Sequence, residues 1–431
     1  MSSGMLIAML IGTMFVLFLL KVPIYIAMPM SGVIVMLINN SMKWGTVAMK
    51  MHVGVDTFTL LAIPMFLLAA KIMNTGGITR RLFAFCNTLV GWLPGGLGHV
   101  NVLASVVFAG MSGTAVSDAG GLGSIEIEAM TEHGFDKEFS VAVTAASSTL
   151  GPIIPPSIPM VVYATVAGAS VGALFMAGIF TGVLMAAIMM MVVTVYAIRR
   201  NYPRGKVPTF SGFVKSLREG ILPCLAPVIL LYGIYTGKFT PTESAAIVVI
   251  YSLFLSGVLY REITLKDLIR VMRETVRDSC TIGMLIAGAT FFGYVAVRLQ
   301  LPQALLGMMT AVVDSKFVLL IILNIFLLII GCFLETASAI TILVPLILPL
   351  LSAYGISEVQ FGVIMVLNLM IGLLTPPFGL VLFVLSKISG MSVGRLAVVL
   401  LPWMGALLMA LMIVTFFEPV TMWLPATLGM M

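Results

Sequence analysis

Apolar residues run along this chain in long blocks, not in the alternation of a half-buried strand or the one-sided stripe of a surface helix. In the first half the blocks fall near 5–20, 22–41, 57–73, 83–110, 139–167 and 172–197. In the second they fall near 221–236, 244–259, 280–297, 303–313, 317–333, 336–354, 359–386 and 397–417. A helix needs ~20 apolar residues to cross a ~30 Å hydrocarbon layer, so the blocks predict an all-α polytopic membrane protein embedded in a lipid bilayer. Several blocks contain Gly or Pro, and broken backbone in lipid must be covered by protein or line a cavity. The first block, Met5 to Leu20, has no basic stretch before it and a second span directly after it. It is read as a retained helix, not a signal peptide.

The pattern occurs twice. Ser147-Ser148-Thr149-Leu150-Gly151-Pro152-Ile153-Ile154-Pro155-Pro156 closes a block that opens near Phe139. Asn368-Leu369-Met370-Ile371-Gly372-Leu373-Leu374-Thr375-Pro376-Pro377 closes one in the second half. Ser147 and Asn368, Gly151 and Gly372, Pro155 and Pro376, and Pro156 and Pro377 each stand 221 residues apart. Both motifs follow a polar interruption. The first, Gly110 to Gly121, holds Ser112, Gly113, Thr114, Ser117 and Asp118; the second, Gly331 to Ser338, holds Glu335 and Thr336. Asp118 and Glu335 are 217 apart, so the register drifts by four over the unit. Two repeats are therefore predicted, 1–198 and 221–431. Hairpin 1 is placed near 105–128 with a broken helix near 139–167, and hairpin 2 near 317–350 with a broken helix near 359–386.

Interrupted hydrophobic segments at matching positions of two halves point to a transporter's site. A break exposes carbonyls that coordinate Na⁺ and helix N-termini that hold an anion. Ser and Thr hydroxyls and the Asn368 amide add neutral oxygens, which suit a hard cation. Proline withholds its N–H and keeps the helix from re-forming. The plainer alternative is a pair of kinked structural helices. Asp118 and Glu335 lie in apolar surroundings, where a charge costs ~2.5–3.5 kcal/mol at mid-bilayer. Each either serves an ion site or caps a helix start at a hairpin tip. Asp56, Asp314, Glu243 and Glu418 fall at segment ends. Glu126 and Glu128 fall where hairpin 1 is expected to run out into a polar loop that continues through Glu132, Asp136, Lys137 and Glu138.

Composition narrows the class. Sixty per cent of the residues are apolar and 9% are charged, too few charges to cover a soluble protein of this length. The net charge of +6 sits in short loops, where it orients the chain instead of binding nucleic acid. Arg199, Arg200, Arg204, Lys206, Lys215 and Arg218 crowd the linker 199–220, which places that linker in the cytoplasm. Lys266, Arg270, Arg273 and Arg277 recur at helical spacing opposite Leu265, Leu268, Ile269, Met272 and Val276. They predict an amphipathic arm over 261–277 along the same interface, with a weaker counterpart near 42–52. Cys86, Cys224, Cys280 and Cys332 show no C-x-x-C spacing and read as buried thiols in apolar helices. His52, His99 and His133 make no zinc motif, and the glycine runs 95–98 and 120–123 lack the Lys-Ser/Thr of a phosphate loop. The 33 methionines are scattered filler.

Ser147 to Met160, with Asn368 to Phe378 and Leu382-Phe383 in the second half, resembles the two signatures of the large membrane subunit of tripartite ATP-independent periplasmic (TRAP) transporters, and the likeness covers essentially the whole chain. It implies an ion-transporter-superfamily elevator fold with two inverted repeats, each with a re-entrant hairpin and a broken helix. It also implies a small four-helix membrane subunit, expected as a separate chain, and a soluble periplasmic substrate-binding protein. Na⁺ is implied as the coupling ion for uptake of a carboxylate-bearing solute, such as a C4-dicarboxylate or sialic acid, across the bacterial inner membrane. By motif, Na⁺ site 1 is expected among Ser112, Gly113, Thr114, Ser117, Asp118, Ser147, Ser148, Thr149, Gly151 and Pro152. Site 2 is expected among Gly331, Glu335, Thr336, Ser338, Asn368, Gly372, Thr375 and Pro376, and substrate contacts at Pro155, Pro156, Ser157 and Pro377. The family often carries Asp where this chain has the longer Glu335. The alternatives are a stand-alone Na⁺/dicarboxylate symporter of the same superfold, an ion channel, and a membrane enzyme; for the last, Ser117-Asp118 has no matching His.

Overall fold

A computed structural model describes residues 3–39, 43–205, 207–310, 313–376 and 379–430. The first half forms α1 (Ser3–Leu19), α2 (Ile24–Ile38), α3 (Trp44–Val55), α4 (Ala62–Thr75), α5 (Ile78–Val90), α6 (Gly96–Ser112), α7 (Ala115–Glu132), α8 (Lys137–Ser148), α9 (Ile158–Ala167) and α10 (Val171–Arg200). The second forms α11 (Phe210–Tyr235), α12 (Pro241–Leu253), α13 (Leu265–Arg298), α14 (Leu301–Thr310), α15 (Lys316–Gly331), α16 (Thr336–Ala353), α17 (Glu358–Gly372), α18 (Leu380–Ser389), α19 (Val393–Phe416) and α20 (Pro419–Thr427). Among the described residues six helices are long and apolar enough to cross a bilayer by length and composition, and several apolar helices of 10–17 residues are shorter than that. Helix starts follow local chemistry. Thr240 with Glu243 and Thr264 with Asp267 close capping boxes, and Ser157, Ser170, Ser357 and Ser392 each cap through a hydroxyl.

The two halves run in opposite directions. Gly205 N–H donates to the Gly91 carbonyl, and Asp136 accepts from Arg200 and Tyr202. Those hydrogen bonds hold the Asp136 carboxyl below the usual carboxylate range. Hairpin α6–α7 therefore leaves and re-enters at the C-terminal end of α10. Arg395, at the start of α19, pairs with Glu138 on that same face, so α19 begins where α10 ends. Hairpin α15–α16 is anchored on the opposite face. Lys316 reaches both Glu418 and the Gly355 carbonyl, and Phe317 stacks on Phe416 at the end of α19. Packing repeats the inversion: α7 lies on α18 as α16 lies on α9, and α8 on α19 as α17 on α10. The face holding Arg199, Arg200, Arg204 and Arg395 is the basic face.

Several expectations shift. The block 83–110 is two helices, because Gly91-Trp92-Leu93-Pro94-Gly95 interrupts it and Gly95 sits at φ 70°. Hairpin 1 consequently spans 96–132, wider than 105–128. The arm 261–277 is not separate: nothing breaks the helix after Arg277, and it continues through α13 to Arg298. Glu126 is not in a loop; it is 1% exposed inside α7. Cys86 is buried as expected, but Cys280 is exposed on the face of α13 and Cys224 and Cys332 are half-buried. Lys206, in the basic linker, lies outside the described residues.

Candidate functional site

Each broken helix ends against the tip of its own hairpin. At the end of α8, the hydroxyls of Ser148 and Thr149 donate back to Ala145 and Ala146 carbonyls at 2.8 and 2.6 Å. The N–H groups of Thr149, Leu150 and Gly151 bond three residues back, winding the helix down in tight turns. Gly151 lies so close to hairpin 1 that a Cβ there would stand 3.2 Å from the Thr114 carbonyl. Thr114 caps α7 by accepting from Ser117 N–H, and Gly113, at φ 64°, accepts from Ile158 N–H through its carbonyl. In the second half Thr375 donates to Ile371, and a Cβ on Gly372 would meet the Gly331 carbonyl carbon at 2.4 Å. Glu335 caps α16, accepting from Ser338 N–H at 3.1 Å and from its hydroxyl at 3.3 Å. The cap reading thus describes Glu335. It does not describe Asp118, whose place at the helix start is taken by Thr114.

Behind the tips lie two matched polar networks. The Ser147 hydroxyl donates to Asn101 Oδ1 at 2.7 Å, and the Asn101 amide donates to Glu126 Oε2 at 2.8 Å and Thr144 Oγ1 at 2.7 Å. The Asn368 amide donates to Asn324 Oδ1 at 2.6 Å, and the Asn324 amide to Thr415 Oγ1 at 3.3 Å. Asn101 and Asn324 stand on the outer helices of the two hairpins, 223 residues apart. Sequence reasoning missed both, although a second pair of polar residues near the repeat's offset was the available signal. The networks leave oxygens unspent. Among the described residues, Ser112 Oγ, both carboxylate oxygens of Asp118, Glu126 Oε1 and Asn368 Oδ1 are buried with no hydrogen-bond partner; for Asp118 the Ser105 hydroxyl is the polar side chain beside it. Buried oxygens without a donor are costly, and a bound cation relieves that cost.

A cavity of about 510 Å³ lies between the two tips. Thr114, Ala115 and Val116 line it from hairpin 1, and Glu335 to Ser338 from hairpin 2. Pro152 and Leu373 line it from the two breaks, and Tyr25, Leu67, Arg277, Asp278 and Thr281 from α2, α4 and α13. Of the expected substrate contacts, Pro155, Pro156 and Ser157 are buried behind the wall. Ser157 spends its hydroxyl on the Pro152 carbonyl and on capping α9. Pro152, Ile158 and Pro159 form the wall in their place. Pro377 lies outside the described residues. Pro376, Gly331, Ser117 and Thr375 stand beside the breaks and tips but not on the cavity wall.

Membrane spans, two re-entrant hairpins entering from opposite faces, and matched helix breaks around one central cavity define a membrane transport protein. Residues 11–420 match the family described as the tripartite ATP-independent periplasmic transporter, DctM component, and the chain belongs to that family. It is 42% identical to the sialic acid TRAP transporter large permease protein SiaM of Vibrio cholerae, over 90% of this chain and 91% of that one. It is 39% identical to the C4-dicarboxylate TRAP transporter large permease protein DctM of Pseudomonas aeruginosa, over 93% and 94%. The sialic acid TRAP transporter permease protein SiaT of Haemophilus influenzae is longer: the match, 37% identical, covers 87% of this chain and 61% of that one. These relatives are permeases, and the chain is a transport protein, not an enzyme. Its fold is similar to that of the Alcanivorax borkumensis YdaH transporter, with a TM-score of 0.66 at 16% identity over 87% of this chain and 89% of that one.

Proposed function

We propose that this large permease subunit takes up a carboxylate-bearing solute, in the range of sialic acid or a C4-dicarboxylate, by Na⁺ symport across the bacterial inner membrane. One observation carries the reading: among the described residues, the tip of hairpin 1 (Ser112, Asp118) and the second broken helix (Asn368) keep buried oxygens without partners, on the same elements that line the cavity framed by the two tips. A Na⁺ beside Ser112 and Asp118, and another beside Asn368, would satisfy those oxygens and hold each tip on its broken helix. The tips then frame the solute, and the N-terminus of α7, capped by the neutral Thr114 hydroxyl, presents a favourable field to its carboxylate. In an elevator mechanism α6–α10 and α15–α19, which pack on one another across the two halves, would carry both tips and slide against the rest. The basic face is cytoplasmic by the positive-inside rule, and Arg277 and Asp278 of α13 stand on the cavity wall. A soluble binding protein delivers the solute from the periplasm, and a small membrane subunit completes the assembly.

The test is uptake of radiolabelled sialic acid or succinate into proteoliposomes holding both membrane subunits, with the binding protein outside. Uptake is expected only with an inward Na⁺ gradient and only with the binding protein. Full uptake on K⁺ and a proton gradient alone refutes the ion assignment.

A further inference from the structure

We infer that Arg277 is the residue that receives the solute's carboxylate in this cavity, an assignment that rests on the cavity being the solute path. Among the described residues three formal charges line the cavity: Arg277, Asp278 and Glu335. The two acids are already engaged. Asp278 accepts from Lys71 Nζ at 2.6 Å, and Lys71 also lies 3.6 Å from Glu274. Glu335 is turned onto Ser338 at the start of α16. Arg277 enters no ion pair among the described residues, although it stands one residue from Asp278 and three from Glu274. Lys71 thus takes up the local acids, and among the described residues Arg277 is left as the uncompensated cation on the cavity wall. A guanidinium suits a carboxylate because its planar fork can hold both oxygens.

The two tips differ in a way that fits this. Glu335 places a negative charge on the N-terminal amides of α16, which excludes a second anion from that spot. Hairpin 1 caps α7 with the neutral Thr114 hydroxyl, so its first turn, Ala115 and Val116, keeps a favourable field for an anion. A carboxylate between Arg277 and the α7 tip meets positive potential on both sides; one at the α16 tip meets Glu335. Arg277 stands on α13, outside the unit that carries the tips. It therefore touches the solute only when the cavity faces the basic side, and acts on affinity and release there and not on the Na⁺ sites.

The experiment titrates the purified membrane subunits, without the binding protein and at saturating Na⁺, with sialic acid and separately with succinate. Isothermal calorimetry gives Kd and a melting curve checks folding. In Arg277→Gln, Kd for both probes is expected to rise roughly ten- to a hundredfold, the range for losing a charge-assisted hydrogen bond. Arg277→Lys is expected to recover part of that affinity, with a steeper loss in salt. The Na⁺ concentration giving half-maximal stabilisation against heat is expected to stay unchanged in both variants. If the unaltered protein binds a probe and Arg277→Gln binds it equally well, the assignment is overturned while the cavity reading stands. If the unaltered protein binds neither probe, the cavity reading falls and the assignment with it. A shifted Na⁺ midpoint in Arg277→Gln would also overturn it, by placing Arg277 with the ion sites.

Discussion

Ser147 and Asn368 occupy the same point of the two halves but spend their polar atoms differently. Ser147 donates to Asn101 and to the Thr144 carbonyl. Asn368 donates through its amide to Asn324, and its Oδ1 has no partner among the described residues. The second oxygen is therefore available to an ion, whereas the Ser147 hydroxyl holds the hairpin to the broken helix. Asn368→Ala is expected to raise the Na⁺ concentration for half-maximal uptake by roughly five- to a hundredfold, the range for one lost ligand. Ser147→Ala leaves Asn101 Oδ1 without a donor and is expected to cost ~1–3 kcal/mol of stability, with a smaller Na⁺ shift. Uptake titrated against Na⁺ beside a melting curve separates the two effects. An unmoved Na⁺ midpoint in Asn368→Ala would mean that Oδ1 holds no ion.

At the scale of elements, the breaks survive because neighbouring helices make room for them. Lipid offers no hydrophobic drive for helix association, so small residues that let backbones approach carry much of the packing. Gly178 and Gly182 lie four apart on α10, facing the bulge at 153–154. A Cβ on Gly178 would stand 2.3 Å from the Ile153 carbonyl oxygen, and one on Gly182 would stand 2.2 Å from the Ile154 side chain. Gly178→Leu is expected to push the break off α10 and destabilise the protein by about 1–3 kcal/mol, the usual cost of overpacking. A lower melting temperature and a smaller monodisperse peak on size exclusion would register it; an unchanged melting curve would show that the bulge yields freely. The helix breaks were legible in the sequence because Gly and Pro mark them. That Glu126 turns inward was not, because its partner Asn101 lies 25 residues away on another helix.

For the whole molecule, inversion is the organising fact. If α1, α2, α4, α8–α9 and α10 each cross, the first half crosses five times before the basic linker, and both termini are then expected on the periplasmic side if the linker is cytoplasmic. Gly134, beyond hairpin 1, belongs to the basic face, and Gly355, beyond hairpin 2, to the opposite one. In a background without native cysteines, Gly355→Cys is expected to react with an impermeant maleimide added to intact cells. Gly134→Cys is expected to react only after permeabilisation. Equal labelling of the two positions from outside would contradict the inverted arrangement.

The sequence by itself determined the class of protein, the two repeats and the places where helices break. Those follow from composition, from apolar block length and from Gly and Pro, all of which act locally. It also pointed to Ser112, Asp118 and Asn368, because polar residues in apolar blocks stand out. Tertiary structure alone decided which of those oxygens remain unspent. It turned Glu335 into a cap while Asp118 is buried, and moved the cavity wall from Pro155 and Pro156 to Pro152 and Pro159. It also carried Arg277 from a surface arm to the cavity. Each of these depends on which distant helix supplies a donor, an acceptor or a countercharge, and such partners come from packing between segments, not from spacing along the chain.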